Sequence, residues 1–265
     1  MERQGWVSLL LRCTFSFVCT LLISIQQAAV DPAGILQSTY STALGEHKSV
    51  QLRDGSSLQL NTRSLMSVEI SARGRAANLH HGETLLKTAA DPRFFVLHLG
   101  EIDLKTTEAI WAHMRRDLDG APRVDVLEGE AWILPASGTA ATFQPLRIRA
   151  GNSFSGRNDV RIVEQFDPSE MTRKLAWTHG QIVLAGDSLR DAVAEFNRYN
   201  STQLVIGDES IANLSTGGTF YATEPDTFTR SLAQLFGIRA VRMPASSTSA
   251  AKGVVMLVGD SYSGL

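Results

Sequence analysis

Several stretches of the sequence hold residue types that could do chemistry. His80-His81-Gly82-Glu83 offers two imidazoles and a carboxylate close together, the raw material of a metal site. Adjacent residues of a strand point to opposite faces, so His80 and His81 should not converge on one ion. Glu83 and Glu130 each follow a glycine, and a pair of carboxylates can divide acid and base work. A Gly-Glu corner needs no chemistry to explain it, however. Gly151-Asn152-Ser153-Phe154-Ser155-Gly156 approaches the Gly-x-Ser-x-Gly nucleophile elbow. Its fifth residue is Ser and no strand–turn–helix context surrounds it, so a glycine-flanked loop is the plainer reading. Trp132 and Trp177 read as core or domain-junction aromatics. Asn197-Arg198-Tyr199-Asn200 reads as a helix end where Arg198 favours the dipole, or as a patch that touches a partner. No catalytic residues, cofactor site or metal site emerge, and the chain reads as a non-enzyme.

The elements that carry these residues fall into two kinds. From Val50 to about Phe166, apolar residues alternate with polar ones in short runs closed by turns. Asp54-Gly55 is a tight-turn signal, and Leu58/Leu60 and Val68/Ile70 alternate with period 2, as do Val124/Val126 and Leu146/Ile148. That spacing predicts an all-β sandwich, barrel or short solenoid. Leu79–Leu86 and Val126–Ile133 echo one another as strand, Gly-Glu corner and second strand, as successive solenoid coils would. Glu101–Arg116 fits helix or strand, and Ala33–Leu44 reads as a connector.

After Asp167-Pro168 the pattern changes. Ser169–Trp177 suggests a short helix before Gly180, and Gln181–Ala185 a strand. Ser188 and Asp191 form a capping box, and Leu189, Ala192, Val193 and Phe196 line one helix face. Thr223 and Asp226 suggest a second box, Phe228, Leu232 and Leu235 a second buried face, and Gly237 its cap. With strands near 203–206, 219–221, 238–241 and 254–258, this half reads as two β-α-β units side by side.

At 265 residues the chain can bury one large or two ordinary cores. A net charge of -2 argues against a general nucleic-acid binder. Its two cysteines, Cys13 and Cys19, lie in an apolar N-terminal run, so no disulfide framework or thiolate metal site is expected. Arg3 and Arg12 precede that run and Asp31 follows it, which predicts an N-in orientation. Residues 13–30 suit either an uncleaved membrane anchor or a signal peptide with a poor cleavage pattern.

Both halves resemble the FecR family, the extracytoplasmic part of transmembrane sensors that regulate iron-transport genes. The resemblance rests on Gly45-Glu46, Leu52-x-Asp54-Gly55-Ser56-x-Leu58-x-Leu60-Asn61-x-x-Ser64-Leu65 and Arg75-x-x-x-Leu79-x-x-Gly82-Glu83. Asp91-Pro92-Arg93-Phe94-Phe95-Val96 and Val124-x-Val126-x-Glu128-Gly129 continue it. Trp177-x-x-Gly180-Gln181-Ile182 through Tyr199-Asn200 is similar to the family's C-terminal region, itself like the short domain at the N-termini of secretins and TonB-dependent receptors.

The resemblance implies a β-solenoid- or sandwich-like FecR domain over 46–174 and a small two-unit β-α-β domain over 175–265, after an anchor or signal peptide (1–30) and a linker (31–45). It implies an inner-membrane protein with a periplasmic domain, or a periplasmic one if the N-terminus is cleaved. Its partners would be the N-terminal signalling domain of a TonB-dependent outer-membrane receptor and an extracytoplasmic-function sigma factor or a separate anti-sigma protein. Leu189, Phe196, Arg198, Tyr199, Phe220 and Tyr221 are the expected partner-binding residues. Two departures stand out. Only about Met1–Arg12 precedes the apolar run, too little for the family's cytoplasmic anti-sigma domain. The Gly-Thr pair at which such sensors self-cleave is replaced by Glu108-Ala109, so no self-cleavage is expected there. The alternative function is a non-catalytic envelope scaffold associated with a secretin- or receptor-like complex.

Overall fold

The computed structural model describes residues 29–30, 36–116, 121–139, 143–157, 160–243 and 253–260. Most of residues 13–30 therefore lie outside the described chain. Among the described residues no helix is long and apolar enough to cross a membrane.

The first part is a mainly antiparallel β body. Its strands are β1 (Ala29–Val30), β2 (Leu36–Ser41), β3 (Lys48–Gln51), β4 (Ser57–Leu60), β5 (Leu65–Ile70), β6 (Arg75–Lys87) and β7 (Phe95–Leu99). They continue as β8 (Ile102–Thr106), β9 (Trp111–Arg116), β10 (Arg123–Glu128), β11 (Glu130–Pro135), β12 (Leu146–Arg149), β13 (Asn152–Arg157) and β14 (Val160–Gln165). All join one 14-stranded sheet folded on itself. The long strand β6 is the fold line. Its first half pairs with β5 and β7 in a layer that continues to β2 on one side and to β8, β11 and β12 on the other. Its second half pairs with β4 and β9 in a layer that continues to β3, and through β10 to β13 and β14. Leu58, Leu60, Met66, Leu79, Leu86, Phe95, Val126 and Phe154 fill the space between the layers.

The turn between layers is made at glycines. Gly82, with φ +98°, sits where β6 passes from one layer to the other, and a Cβ there would collide with Ser64. Gly129, with φ +78°, does the same between β10 and β11, where a Cβ would meet the Ala109 carbonyl. The echo between Leu79–Leu86 and Val126–Ile133 is thus a repeated layer change. It is not a solenoid repeat, because apart from β6 with β7 the neighbouring strands are antiparallel.

Three other expectations change. Ala33–Leu44 is not merely a connector: β2 pairs with β5, and Tyr40 enters the core. Glu101–Arg116 holds strands β8 and β9. The glycine-flanked stretch at 151–156 is strand β13 of a hairpin with β14.

The second part packs on the outer face of the β6–β9–β10 layer. It contains α1 (Pro168–Lys174), a 3-10 turn (Leu175–His179), β15 (Gln181–Ser188), α2 (Leu189–Tyr199), β16 (Thr202–Ile206), β17 (Ser215–Tyr221), α3 (Pro225–Phe236), β18 (Arg239–Met243) and β19 (Gly253–Val258). Ser188 caps α2, accepting from the Asp191 backbone N–H at 3.1 Å, and Leu189, Ala192, Val193 and Phe196 are buried as the spacing predicts. Helix α3 begins instead at Pro225 with no side-chain cap. Asp226 pairs with Arg242, and Leu235 is 71% exposed rather than buried. Each helix lies between two strands, yet those strands do not pair with each other. β15 pairs with β17, while β19 takes β16 and β18 as neighbours. The chain therefore alternates between two small sheets instead of building two side-by-side units.

Candidate functional site

Strand register sets the site. Leu85, His113, Asp125 and Ser153 are successive cross-strand partners on β6, β9, β10 and β13, so their side chains share one face. That face is the outer one, because Ala112, Met114, Val124 and Val126 occupy the core side. The second part covers it, which buries charged groups that an antiparallel sheet would otherwise leave in water. His113 is 3% exposed, Asp125 0% and Glu83 3%.

These groups form one hydrogen-bonded chain. His113 Nδ1 lies 2.8 Å from Asp125 Oδ2, and Nε2 lies 2.8 Å from Glu83 Oε1. Ser153 Oγ donates to the other Asp125 oxygen. Asn61 Nδ2 donates to Glu83 Oε2 at 2.8 Å, and the Arg198 guanidinium donates to the same oxygen. Arg198 also donates to Glu195 at 2.7 Å. Asn61 further bonds Tyr199 Oη at 2.8 Å, and Thr62 Oγ1 donates to the Arg198 carbonyl at 3.4 Å. Every one of these bonds from the β body to the helical layer ends on the last turn of α2.

The electrostatics follow from geometry. Burial alone pushes the Glu83 carboxyl up, but the Arg198 charge and the His113 bond outweigh it and hold Glu83 well below the usual carboxylate range. Burial pulls the His113 imidazole down, yet its bonds to Asp125 and Glu83 win and push it up to about 9. Burial raises the Tyr199 phenol. With each ring nitrogen facing a carboxylate, His113 is an imidazolium with no lone pair to offer. It cannot act as a general base while these bonds hold. The arrangement is an electrostatic clasp.

A second buried pair lies at the other end of β6. Arg75 Nη1 donates to Asp54 Oδ2 at 3.0 Å and to the Ala89 carbonyl at 2.9 Å, and Nη2 donates to the Arg93 carbonyl at 3.0 Å. Ser56 Oγ donates to Asp54 Oδ2 at 2.7 Å, and the guanidinium carbon stands 5.4 Å from the Phe95 ring centroid. All these partners belong to the β body.

The residues expected to contact a partner do not form one surface. Leu189 and Phe196 are fully buried, and Phe196 stacks on Phe228 at 4.5 Å with Phe220 edge-on to both. Arg198 and Tyr199 face the β body. Tyr221 alone of the six is substantially exposed, at 59%. Glu83 and Glu130 do not meet, since Glu130 pairs with Arg147 and Arg149. His80 bonds Ser67 Oγ at 3.0 Å, while Ser153 is tied to Asp125. Trp177 is buried in the helical-layer core, and Trp132 is 47% exposed.

Residues 38–132 match the family model described as FecR protein. That segment of the chain is similar to a FecR domain. No curated protein matches the chain. Two crystal structures of a candidate anti-sigma factor from Parabacteroides distasonis, at 2.50 Å and 1.65 Å, each share the fold with a TM-score of 0.61 at 17% identity. The match covers 84% of this chain and 100% or 99% of theirs. Asn61, Ser64, Gly82 and Glu83, which carry the FecR resemblance, are the residues that build the clasp or its corner. Ser64 Oγ accepts from the Glu83 backbone N–H at 3.0 Å and so seats Glu83 at the bend. His113 and Asp125 were not singled out by sequence. The available signal was a lone charge between Val124 and Val126, opposite the apolar face.

Proposed function

We propose that this FecR-domain protein is an envelope sensor that regulates an extracytoplasmic-function sigma factor in iron- or siderophore-type signalling. It binds the N-terminal signalling domain of a TonB-dependent outer-membrane receptor in the periplasm, with residues 13–30 at the inner membrane. The β body, which ends with β14, is the membrane-side lobe, and the helical layer from α1 onward is the receptor-side lobe. The observation that supports this reading is the clasp. FecR-motif residues grip the last turn of α2, so a displacement of the helical layer is felt directly by the β body.

Co-purification tests it. The full chain, expressed with receptor signalling domains from its own genome, should hold one of them, and replacing Tyr221 with Ala should weaken that capture. Recovery of structural envelope proteins alone would contradict sensing and favour a scaffold.

A further inference from the structure

The helical layer leaves one strand edge open. β15 pairs with β17 alone, so its other edge has no strand beside it. The Ala222 backbone N–H donates to the Gly180 carbonyl at 2.9 Å, which continues the β15–β17 ladder past Gln181. Bonded and non-bonded pairs alternate along an antiparallel ladder, so Ile182 and Leu184 bond β17 while Gln181 and Val183 turn their N–H and C=O groups outward. At Ala185 the outward N–H is taken by the Asp187 carboxylate at 2.7 Å. Among the described residues nothing bonds the outward groups of Gln181 or Val183. Gln181, Ile182, Val183 and Leu184 all line one cleft of about 260 Å³. Successive residues point to opposite faces of a strand, so all four can line one cleft only along the strand's edge.

Arg115 and Arg123, from the outer face of β9 and β10, line the same cleft. They stand directly across from one another, and like charges so placed repel. The carboxylates around the cleft are already engaged. Glu170 pairs with Lys174, Asp187 with Arg173 and Glu195 with Arg198, Asp191 accepts from Ser188 Oγ, and Glu83 sits in the clasp. Arg123 has no partner among the described residues. An edge of unpaired N–H and C=O groups is a template for a further strand, and the unanswered cation sets the charge that strand should carry. We infer that the cleft is a docking groove for an extended acidic peptide segment, which adds a strand to β15 and presents an acidic side chain to Arg123. Such a segment touches the helical layer through β15 and the β body through Arg123, and so bridges the same two parts as the clasp. The inference does not depend on capture of a receptor domain, because its test uses a peptide alone and either result can fail without the other.

The probe is acetyl-Thr-Val-Glu-Val-Thr-amide, in which Glu carries the only charge, titrated into the full chain by isothermal calorimetry. The expected result is saturable binding with a Kd of about 100 μM, in reach of a short peptide that is ordered on binding. The same peptide with Gln in place of Glu should bind about tenfold more weakly, as should the original peptide to Arg123→Gln. N-methylation at two adjacent peptide residues removes a donor from each edge of the added strand and should abolish binding. Arg242→Ala, in an exposed pair outside the cleft, should bind like the unsubstituted chain. No saturable binding overturns the inference. So does equal binding of the Gln or N-methylated peptide, or a loss in Arg242→Ala that matches the loss in Arg123→Gln.

Discussion

Asp54–Arg75 and Glu83–Arg198 are both buried ion pairs seated on strand β6, eight residues apart at their β6 ends, but they close in different ways. The Arg75 Nη1 and Nη2 groups bond to Asp54 and to the Ala89 and Arg93 carbonyls beside the Phe95 ring, all within the β body, while its Nε is buried without a partner among the described residues. Glu83 is satisfied from both sides at once: Asn61 and His113 come from the β body, and Arg198 comes from α2. A buried pair adds little net stability over an apolar replacement, but removing one partner strands the other charge. The first pair therefore holds a lobe together. The second makes the state of one lobe a condition for the other.

Breaking each pair should expose this contrast. Glu83→Ala leaves His113 and Arg198 without their shared anion and should cost about 3–5 kcal/mol in urea unfolding. It should also speed amide exchange across α2. Asp54→Ala should cost a similar amount while leaving α2 protected, and a matching loss of α2 protection would erase the distinction.

Protonation sharpens the comparison, because the clasp contains a titrating group. His113 rises from 6.5 to about 9 on folding, so its contribution is complete below about 6.5 and is lost as pH climbs through about 9. The loss should be on the order of 3 kcal/mol, and His113→Gln should flatten the profile. Glu83 has the opposite sign: its contribution is present above 4.5 and fails only far into acid.

Gly82→Ala tests the corner between the two pairs. A Cβ at positive φ against Ser64 should destabilise by about 2 kcal/mol, whereas Gly74→Ala, with open space around it, should not. Ser188→Ala removes the α2 cap and should cost about 1 kcal/mol, again loosening the helix that the clasp holds. Arg242→Ala breaks the exposed pair with Asp226, remote from both clusters, and should stay within about 0.5 kcal/mol.

The two pairs also differ in how far sequence revealed them. The Asp54-Gly55 turn and the alternation around Leu58 and Leu60 were legible because they are local, set by turn chemistry and period 2. Helix α2 was legible from its capping box and apolar face. The clasp was not. His113, Asp125 and Ser153 meet only through the register of β9, β10 and β13, and Arg198 reaches Glu83 across 115 residues of chain. Gly-Glu at 82–83 looked like a bare corner because its partners are remote in sequence. Leu189 and Phe196 looked available to a partner because the helix faces that bury them are filled by distant aromatics such as Phe228.

The claim that α2 is held through its last turn rests most directly on the coupling between Glu83 and Arg198. A double-mutant cycle with Glu83→Gln and Arg198→Met, read by urea unfolding, isolates that term. A coupling energy of about 1.5 kcal/mol or more, together with near-additivity for Asp54→Asn and Arg198→Met, is the expected result. Additivity of Glu83→Gln with Arg198→Met would contradict the account.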